Sequence, residues 1–286
     1  MTQTKRDIIV GCFTDYDWDK IQFWANSVDQ SGFSGEKLMI VYNSTFATVQ
    51  KLLDKQFNIR AFARDDAKQI FYYPHAFVVV VSRFFHLWEF FNSLPNLDEY
   101  RYVITTDVKD VVFQQDPTKW LEHNLGDKKI CVSSESIQYC NEPWGNENLL
   151  NSFPAVYNHM KNNTIWNCGV LAGEVTVMKD LFLHIYLLSI NNPVHNPDQA
   201  ALNVLLNTEP YKSITKFALS EDGWACQAGT SKDTSKNFTP YLLEPAPVFD
   251  GEYATTSIGK KYSILHQYDR ISEWKPLVEN KYKDSI

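Results

Sequence analysis

Two carboxylates, Asp107 and Asp110, follow the apolar run Tyr102-Val103-Ile104, with Thr105 and Thr106 between. Such a run reads as a buried strand. Carboxylates at its end are costly to desolvate unless something pairs with them. The candidate partners are a divalent cation, an Arg or Lys, or a ring of backbone N–H groups. Hard oxygen ligands suit Mg²⁺ or Mn²⁺, and these cations suit a diphosphate. The plainer alternative makes Asp107 a turn former or helix cap and Asp110 a solvated loop residue. A second short apolar run, Val111-Val112-Phe113, comes next, and Asp116-Pro117 closes the segment as a turn.

Other residues able to do chemistry stand at the ends of expected elements. Thr14, Asp15 and Tyr16 follow a first apolar run, Ile8 to Phe13. Arg83 is a charge inside an otherwise apolar helix, and such a side chain is rarely buried unpaired. Asp107 is its candidate partner, and a surface ion pair is the alternative. Asp198 and Gln199 open a helix after Pro197; Asp198 could equally serve only to favour that helix's positive end. Asn167 and Gly169 lie in a strand bracketed by glycines, and His266 ends the last strand, Ile264 to His266.

These residues need a frame. Asp7–Phe13 reads as a buried strand because its apolar residues run without alternation. Trp18–Val28 shows helical spacing, Lys37–Tyr42 is a second strand, Phe46–Phe57 an amphipathic helix and Ile59–Ala63 a third strand. Phe77–Leu94 contains a strand-like Val78–Val81. Its length, and the shared face of Phe77, Val80, Phe84, Leu87, Trp88 and Phe91, make it a helix. The strand at Tyr102 completes a β-α-β-α-β-α-β order, the pattern of a parallel sheet covered by helices. Ligands bind such sheets beyond the carboxyl ends of the strands, so one crevice can hold both Thr14–Asp17 and Asp107–Asp110.

The second half is less regular. Lys129–Ser133, Trp166–Gly173, Phe217–Leu219 and Val248–Asp250 are strand candidates, and Glu174–Ser189 is a helix. The whole chain, 1–286, reads as one α/β domain.

Net charge is −7 and the longest basic cluster is Lys260-Lys261. That argues against a nucleic-acid partner, which needs clustered cations. Five cysteines stand without metal-site spacing, four of them in apolar or small-residue surroundings. They read as reduced, mostly buried thiols of a cytoplasmic protein, or of a soluble catalytic domain lacking its anchor. No membrane span is expected, because Phe77–Phe91 is interrupted by Arg83, His86 and Glu89. The stretch MTQTKRDIIVGCF has no apolar core long enough for a signal peptide. The aromatic content of 14 % fits a packed core or a site that stacks on sugar or base rings.

In order and spacing these pieces resemble nucleotide-sugar glycosyltransferases of the GT-A fold. Tyr102–Pro117 looks like that family's strand-terminal acidic motif, and Trp166–Gly173 resembles its N-x-G strand. Pro197–Asn203, PDQAALN, is similar to the DQ-x-x-LN element of retaining members such as glycogenin-like and xylosyltransferase-like proteins. His266 stands where many members carry a late metal-binding His. The resemblance implies a Rossmann-like GT-A fold, with a mixed, mostly parallel sheet and helices on both faces. It implies a donor, UDP- or GDP-sugar, and a glycan or other hydroxyl acceptor, with residues 7–117 as the nucleotide-binding half and 118–286 as the acceptor-binding half. Thr14, Asp15 and Tyr16 would hold base and ribose, with Asp107 on the ribose or the metal. Asn167 and Gly169 would lie beneath the donor sugar. Asp107, Asp110 and His266 would hold Mn²⁺ or Mg²⁺. Asp198, Gln199 and Arg83 would face the reacting sugar, and Asp222 and Trp224 are weaker acceptor-side candidates. The region around Trp144 could stack on an acceptor sugar, but core packing is its assignment here. The family usually has D-x-D where this chain has D-x-x-D, so either Val108 replaces the first Asp or a shifted backbone brings Asp107 into its place. A nucleotidyltransferase making an NDP-sugar and a non-catalytic sugar- or nucleotide-binding protein are the alternatives.

Overall fold

The computed structural model describes residues 5–284, so the first four residues of the stretch read for a leader lie outside it. The main sheet has seven strands in the order Thr215–Ala218, Ile130–Gln138, Thr164–Glu174, Tyr100–Thr106, Arg6–Phe13, Glu36–Val41, Asn58–Ala61. The last four of these run parallel to one another. Thr164–Glu174 runs against both of its neighbours, and Thr215–Ala218 is parallel to Ile130–Gln138. The sheet is therefore mixed and mostly parallel.

Its strands are apolar on both sides because helices cover both. Ile9, Met39, Val41 and Ile104 pack beneath the helices Trp18–Gln30, Phe46–Asp54 and Pro117–Asn124. Ile8, Val10, Leu38, Ile40 and Val103 face Val79–Ser93, Val175–Ser189 and Asp198–Leu206. The alternation along each strand follows from the twofold pleat. Nearly continuous hydrophobic runs are what burial on both faces demands.

Two local expectations change. Asp116-Pro117 does not close a turn. Asp116 caps the helix Pro117–Asn124, its Oδ1 accepting from Thr118 N–H at 3.0 Å, with Pro117 at the first helical position. The expected third strand divides: Asn58–Ala61 stays in the main sheet, while Ala63–Asp65 joins Ile70–Tyr72 and Ser44–Thr45 in a small antiparallel sheet. The short apolar run Val111–Phe113 is a strand outside the main sheet. It pairs antiparallel with Ile264–His266, which pairs parallel with Ala225–Gln227. That small sheet sets His266 opposite Val111, one residue from Asp110.

Among the described residues no helix is long and apolar enough to cross a membrane. Cys12, Cys131, Cys168 and Cys226 are buried and Cys140 is exposed.

Candidate active site

The strand Tyr100–Thr106 ends beside the strand Thr164–Glu174, and Asp107 N–H donates to Gly169 O at 2.8 Å. Val108 then turns inward. It is buried against Gly11, where a Cβ would come within 2.8 Å of Val108 Cγ2, so only glycine leaves room for it. With Val108 tucked under the first strand, and the Asp107 backbone tied to Gly169, Asp107 and Asp110 both face His266. In this way a D-x-x-D spacing brings two carboxylates to one point.

His266 Nε2 lies 3.6 Å from Asp107 Oδ2 and 3.6 Å from Asp110 Oδ1. One ligand atom from each of the three residues falls within 4.8 Å of the others. The other ring nitrogen, Nδ1, is 2.7 Å from Gln227 Oε1, and Gln227 Nε2 donates to Ser133 Oγ at 2.7 Å. That chain orients the amide and makes Nδ1 the protonated nitrogen, which leaves Nε2 with a lone pair aimed at two carboxylates. Nε2 is buried and has no hydrogen-bond partner. A lone pair facing two anions needs a proton or a cation between them. Burial alone would lower the His266 pKa, but Asp110 and Asp107 outweigh it and raise it. Burial raises the Asp110 carboxyl, only partly offset by His266. Two carboxylate oxygens and one imidazole are a donor set for Mn²⁺ or Mg²⁺, so the residues present fit such an ion. Gly169 keeps the place open: a Cβ there would stand 2.6 Å from His266 Cε1 and 2.7 Å from Asp107 Oδ2.

Arg83 joins this cluster to a second one. It rises from the helix Val79–Ser93, is buried, and donates to Asp107 Oδ1 through Nη1. Its Nη2 donates to Asp198 Oδ2 at 3.1 Å and to Cys168 O at 3.4 Å. Burial would raise the Asp107 carboxyl, but Arg83 and His266 hold it well below the usual carboxylate range. Asp198 is raised instead: its burial outweighs the same Arg83. Asp198 does not cap its helix, where Pro197 is the N-cap residue and makes no side-chain cap bond.

The PDQAALN element has a mechanical explanation in these contacts. Asp198 binds Arg83, Gln199 Oε1 accepts from Cys168 N–H at 3.4 Å, and Asn203 clamps Trp166 by accepting from its N–H at 3.0 Å and donating to its O at 2.8 Å. One helix is thus fastened along one strand. Asn167 is fixed from behind: its Nδ2 donates to Glu135 Oε1 at 2.6 Å and its Oδ1 accepts from Gly169 N–H at 2.8 Å. Glu135, which also accepts from Thr230 Oγ1, is not legible in the sequence as a site residue, and neither is Gln227. Both act through partners distant in sequence.

Two cavities meet at the Arg83–Asp107 pair. The smaller, about 270 Å³, reaches Thr14, Tyr16, Lys109 and Asp110. The larger, about 400 Å³, reaches Asn167, Gly169, Asp198, Gln199, Glu135 and Trp144. Thr14 and Tyr16 thus share a cavity with Asp107 and Asp110. Asp15 does not line either cavity; its carboxylate accepts from Thr14 Oγ1 at 2.6 Å, and its N–H donates to Asn43 O at 2.8 Å. The acceptor-side candidates Asp222 and Trp224 stand elsewhere. Trp224 is fully buried against Trp120, and Asp222 accepts from Leu219 N–H at 2.9 Å. Trp144 is not in the core: it is exposed, at the rim of the larger cavity.

No family model matches the chain, and no curated protein matches it. Several solved structures resemble it at low identity. The apo structure of the bifunctional glycosyltransferase WbbM matches with a TM-score of 0.62 at 14 % identity, over 100 % of this chain and 51 % of that one. This chain therefore spans about half the length of WbbM. The galactosyltransferase LgtC, solved with donor and acceptor sugar analogues, matches at 0.54 with 12 % identity, over 98 % of this chain and 97 % of that one. Mouse xyloside xylosyltransferase 1, in its apo form, matches at 0.52 with 12 % identity, over 91 % and 97 %. In fold, this chain is similar to these glycosyltransferases and is GT-A-like, its own mixed, mostly parallel sheet being covered by helices on both faces.

Proposed function

We propose that this protein is a glycosyltransferase that moves a hexosyl or pentosyl group from a nucleoside diphosphate donor, UDP- or GDP-linked, to a hydroxyl of a glycan or other acceptor. The observation that carries the proposal is the convergence of Asp107, Asp110 and the unpartnered His266 Nε2 beside the Arg83–Asp198 pair, within one cleft. Residues 7–117 serve as the nucleotide-binding half and 118–286 as the acceptor-binding half. Thr14 and Tyr16 take the base and ribose, and Asp15 braces Thr14. The sugar lies over Asn167 and Gly169, where the missing side chain allows close approach.

Asp107, Asp110 and His266 would hold Mn²⁺ or Mg²⁺, which when bound offsets charge on the leaving diphosphate. Arg83 keeps Asp107 ionised, and Gln227, accepting from Nδ1, turns the Nε2 of His266 toward the two carboxylates for that role. Asp198 and Gln199 face the larger cavity, where a carboxylate can stabilise positive charge developing on the sugar ring. A retaining outcome is the reading that PDQAALN favours. The turn after the first strand is braced by Asn43 rather than built from glycines, which weighs against a nucleotidyltransferase. Buried, unpaired cysteines fit a cytoplasmic setting.

Thermal unfolding with UDP or GDP, with and without Mn²⁺, tests this reading. At about 100 times its Kd a nucleotide should add about 2.7 kcal/mol of stability. The gain should shrink on strong chelation and in Asp110→Asn. A wild-type protein stabilised by neither nucleotide, in either condition, would refute the proposal. Slow hydrolysis of the donor sugar would separate an enzyme from a non-catalytic binder.

A further inference from the structure

Of the eight tryptophans, Trp144 alone is exposed, with 52 % of its surface accessible. An indole left in water forgoes the stabilisation that burial gives the others. Its position is nevertheless fixed. Pro143 opens the helix Pro143–Ser152, and Glu142 caps it, accepting from Trp144 N–H at 3.3 Å and from Gly145 N–H at 2.5 Å. A Cβ at Gly145 would come within 2.8 Å of Glu142 Oε2 and 3.1 Å of Ile165 Cδ1, so the turn is seated closely against the strand Thr164–Glu174.

The cavity that Trp144 borders also presents Glu135, Asn196, Asp198 and Gln199. Glu135 is buried, and its carboxylate is held in place by Asn167 Nδ2 and Thr230 Oγ1. One cavity thus brings together an exposed aromatic side chain and fixed hydrogen-bond acceptors. A pyranose has the matching pair of surfaces: an apolar C–H face and a rim of hydroxyls. We propose that Trp144 is the acceptor platform, on which the ring of a pyranose glycoside lies with its hydroxyls toward Glu135 and Asp198. The assignment of this sugar as the acceptor rests on the transferase reading above. It makes the acceptor a carbohydrate rather than a protein side chain.

The test is saturation-transfer NMR with the methyl glycosides of glucose, galactose, mannose and xylose. The proteins are the wild type, Trp144→Ala and Trp144→Phe, each with UDP or GDP and Mn²⁺. At least one glycoside should bind the wild type saturably, with its ring protons the most strongly saturated. Its Kd should rise about two- to tenfold in Trp144→Ala, with partial recovery in Trp144→Phe. Equal affinity in wild type and Trp144→Ala would overturn the proposal. So would a wild type that is stabilised by nucleotide yet binds none of the four glycosides. Trp144-dependent glycoside binding without any nucleotide stabilisation would leave the sugar site standing and refute the transferase reading instead. The nucleotide-induced thermal shift, which reports on the other cavity, shows whether each variant is folded.

Discussion

Replacing Arg83 with methionine will cost about 3–5 kcal/mol of folding stability, the range for removing one partner from a buried ion pair. Arg83 is buried between Asp107 and Asp198, and its departure leaves two carboxylates without the cation that joins them. Methionine fills much of the space, so the loss reports charge rather than volume. The pH dependence follows from the same contacts. In the wild type, Asp107 titrates well below its usual range, so its contribution to stability is present above the unfolded carboxylate pKa and is lost as pH falls through the folded one. Without Arg83, the folded state favours a protonated carboxyl, with a folded pKa above the unfolded one. The stability that protonation returns is present at low pH and lost as pH rises through that folded pKa. The deficit should therefore be larger at pH 8 than at pH 5. Adding Asp198→Asn to Arg83→Met removes one of the two facing charges and should return part of the loss, a coupling read directly from the double-mutant cycle. Arg83→Lys should remain impaired, because one ammonium cannot present two parallel donors as the guanidinium does. Denaturant unfolding of these proteins beside the wild type decides the matter. A loss below about 1 kcal/mol in Arg83→Met would place Arg83 among solvent-screened ion pairs.

That pairing shows how far the sequence carries the argument. A charge inside an apolar helix is enough to nominate Arg83 and to suggest Asp107 as its partner. It does not reveal that Asp198 shares the guanidinium, because the residues are 115 positions apart. The parallel strands are legible because burial on both faces leaves nearly continuous apolar runs, as at Ile8–Val10 and Leu38–Val41. Short elements are not. Val111–Phe113 and Ala225–Gln227 have only three residues each, too few for a period, and their pairing is set by Ile264–His266 from far along the chain. Asp116-Pro117 is ambiguous in kind: an Asp before a Pro starts helices as readily as it makes turns, and the helix behind it decides the outcome. Gln227 and Ser133 orient His266, yet in the sequence they are ordinary polar residues within short or apolar segments. Trp144 goes to the core in the sequence and to the cleft in the structure, because composition cannot distinguish an aromatic in one from an aromatic in the other.

Asp198→Asn should lower kcat by about 10²-fold, roughly 2.7 kcal/mol, while leaving donor affinity nearly unchanged. The structure sharpens what the substitution tests. Because Asp198 makes no cap bond, the helix Asp198–Leu206 loses at most a favourable charge near its positive end, about 1 kcal/mol or less. Asparagine keeps an oxygen that can accept from Arg83 Nη2, so the link between helix and cleft floor survives. What disappears is the negative charge in the larger cavity. If that charge stabilises the sugar ring as its bond to the diphosphate breaks, the effect falls on kcat, where charge is developing, and not on the ground-state complex. If Asp198 only anchors Arg83, the variant should show a loss of stability with near-normal turnover. Measuring kcat, donor KM and unfolding on one preparation distinguishes these cases, since a purely structural role moves the third quantity and spares the first. Near-normal kcat would leave Gln199, next along the same helix and lining the same cavity, as the residue to test for the charge-stabilising role.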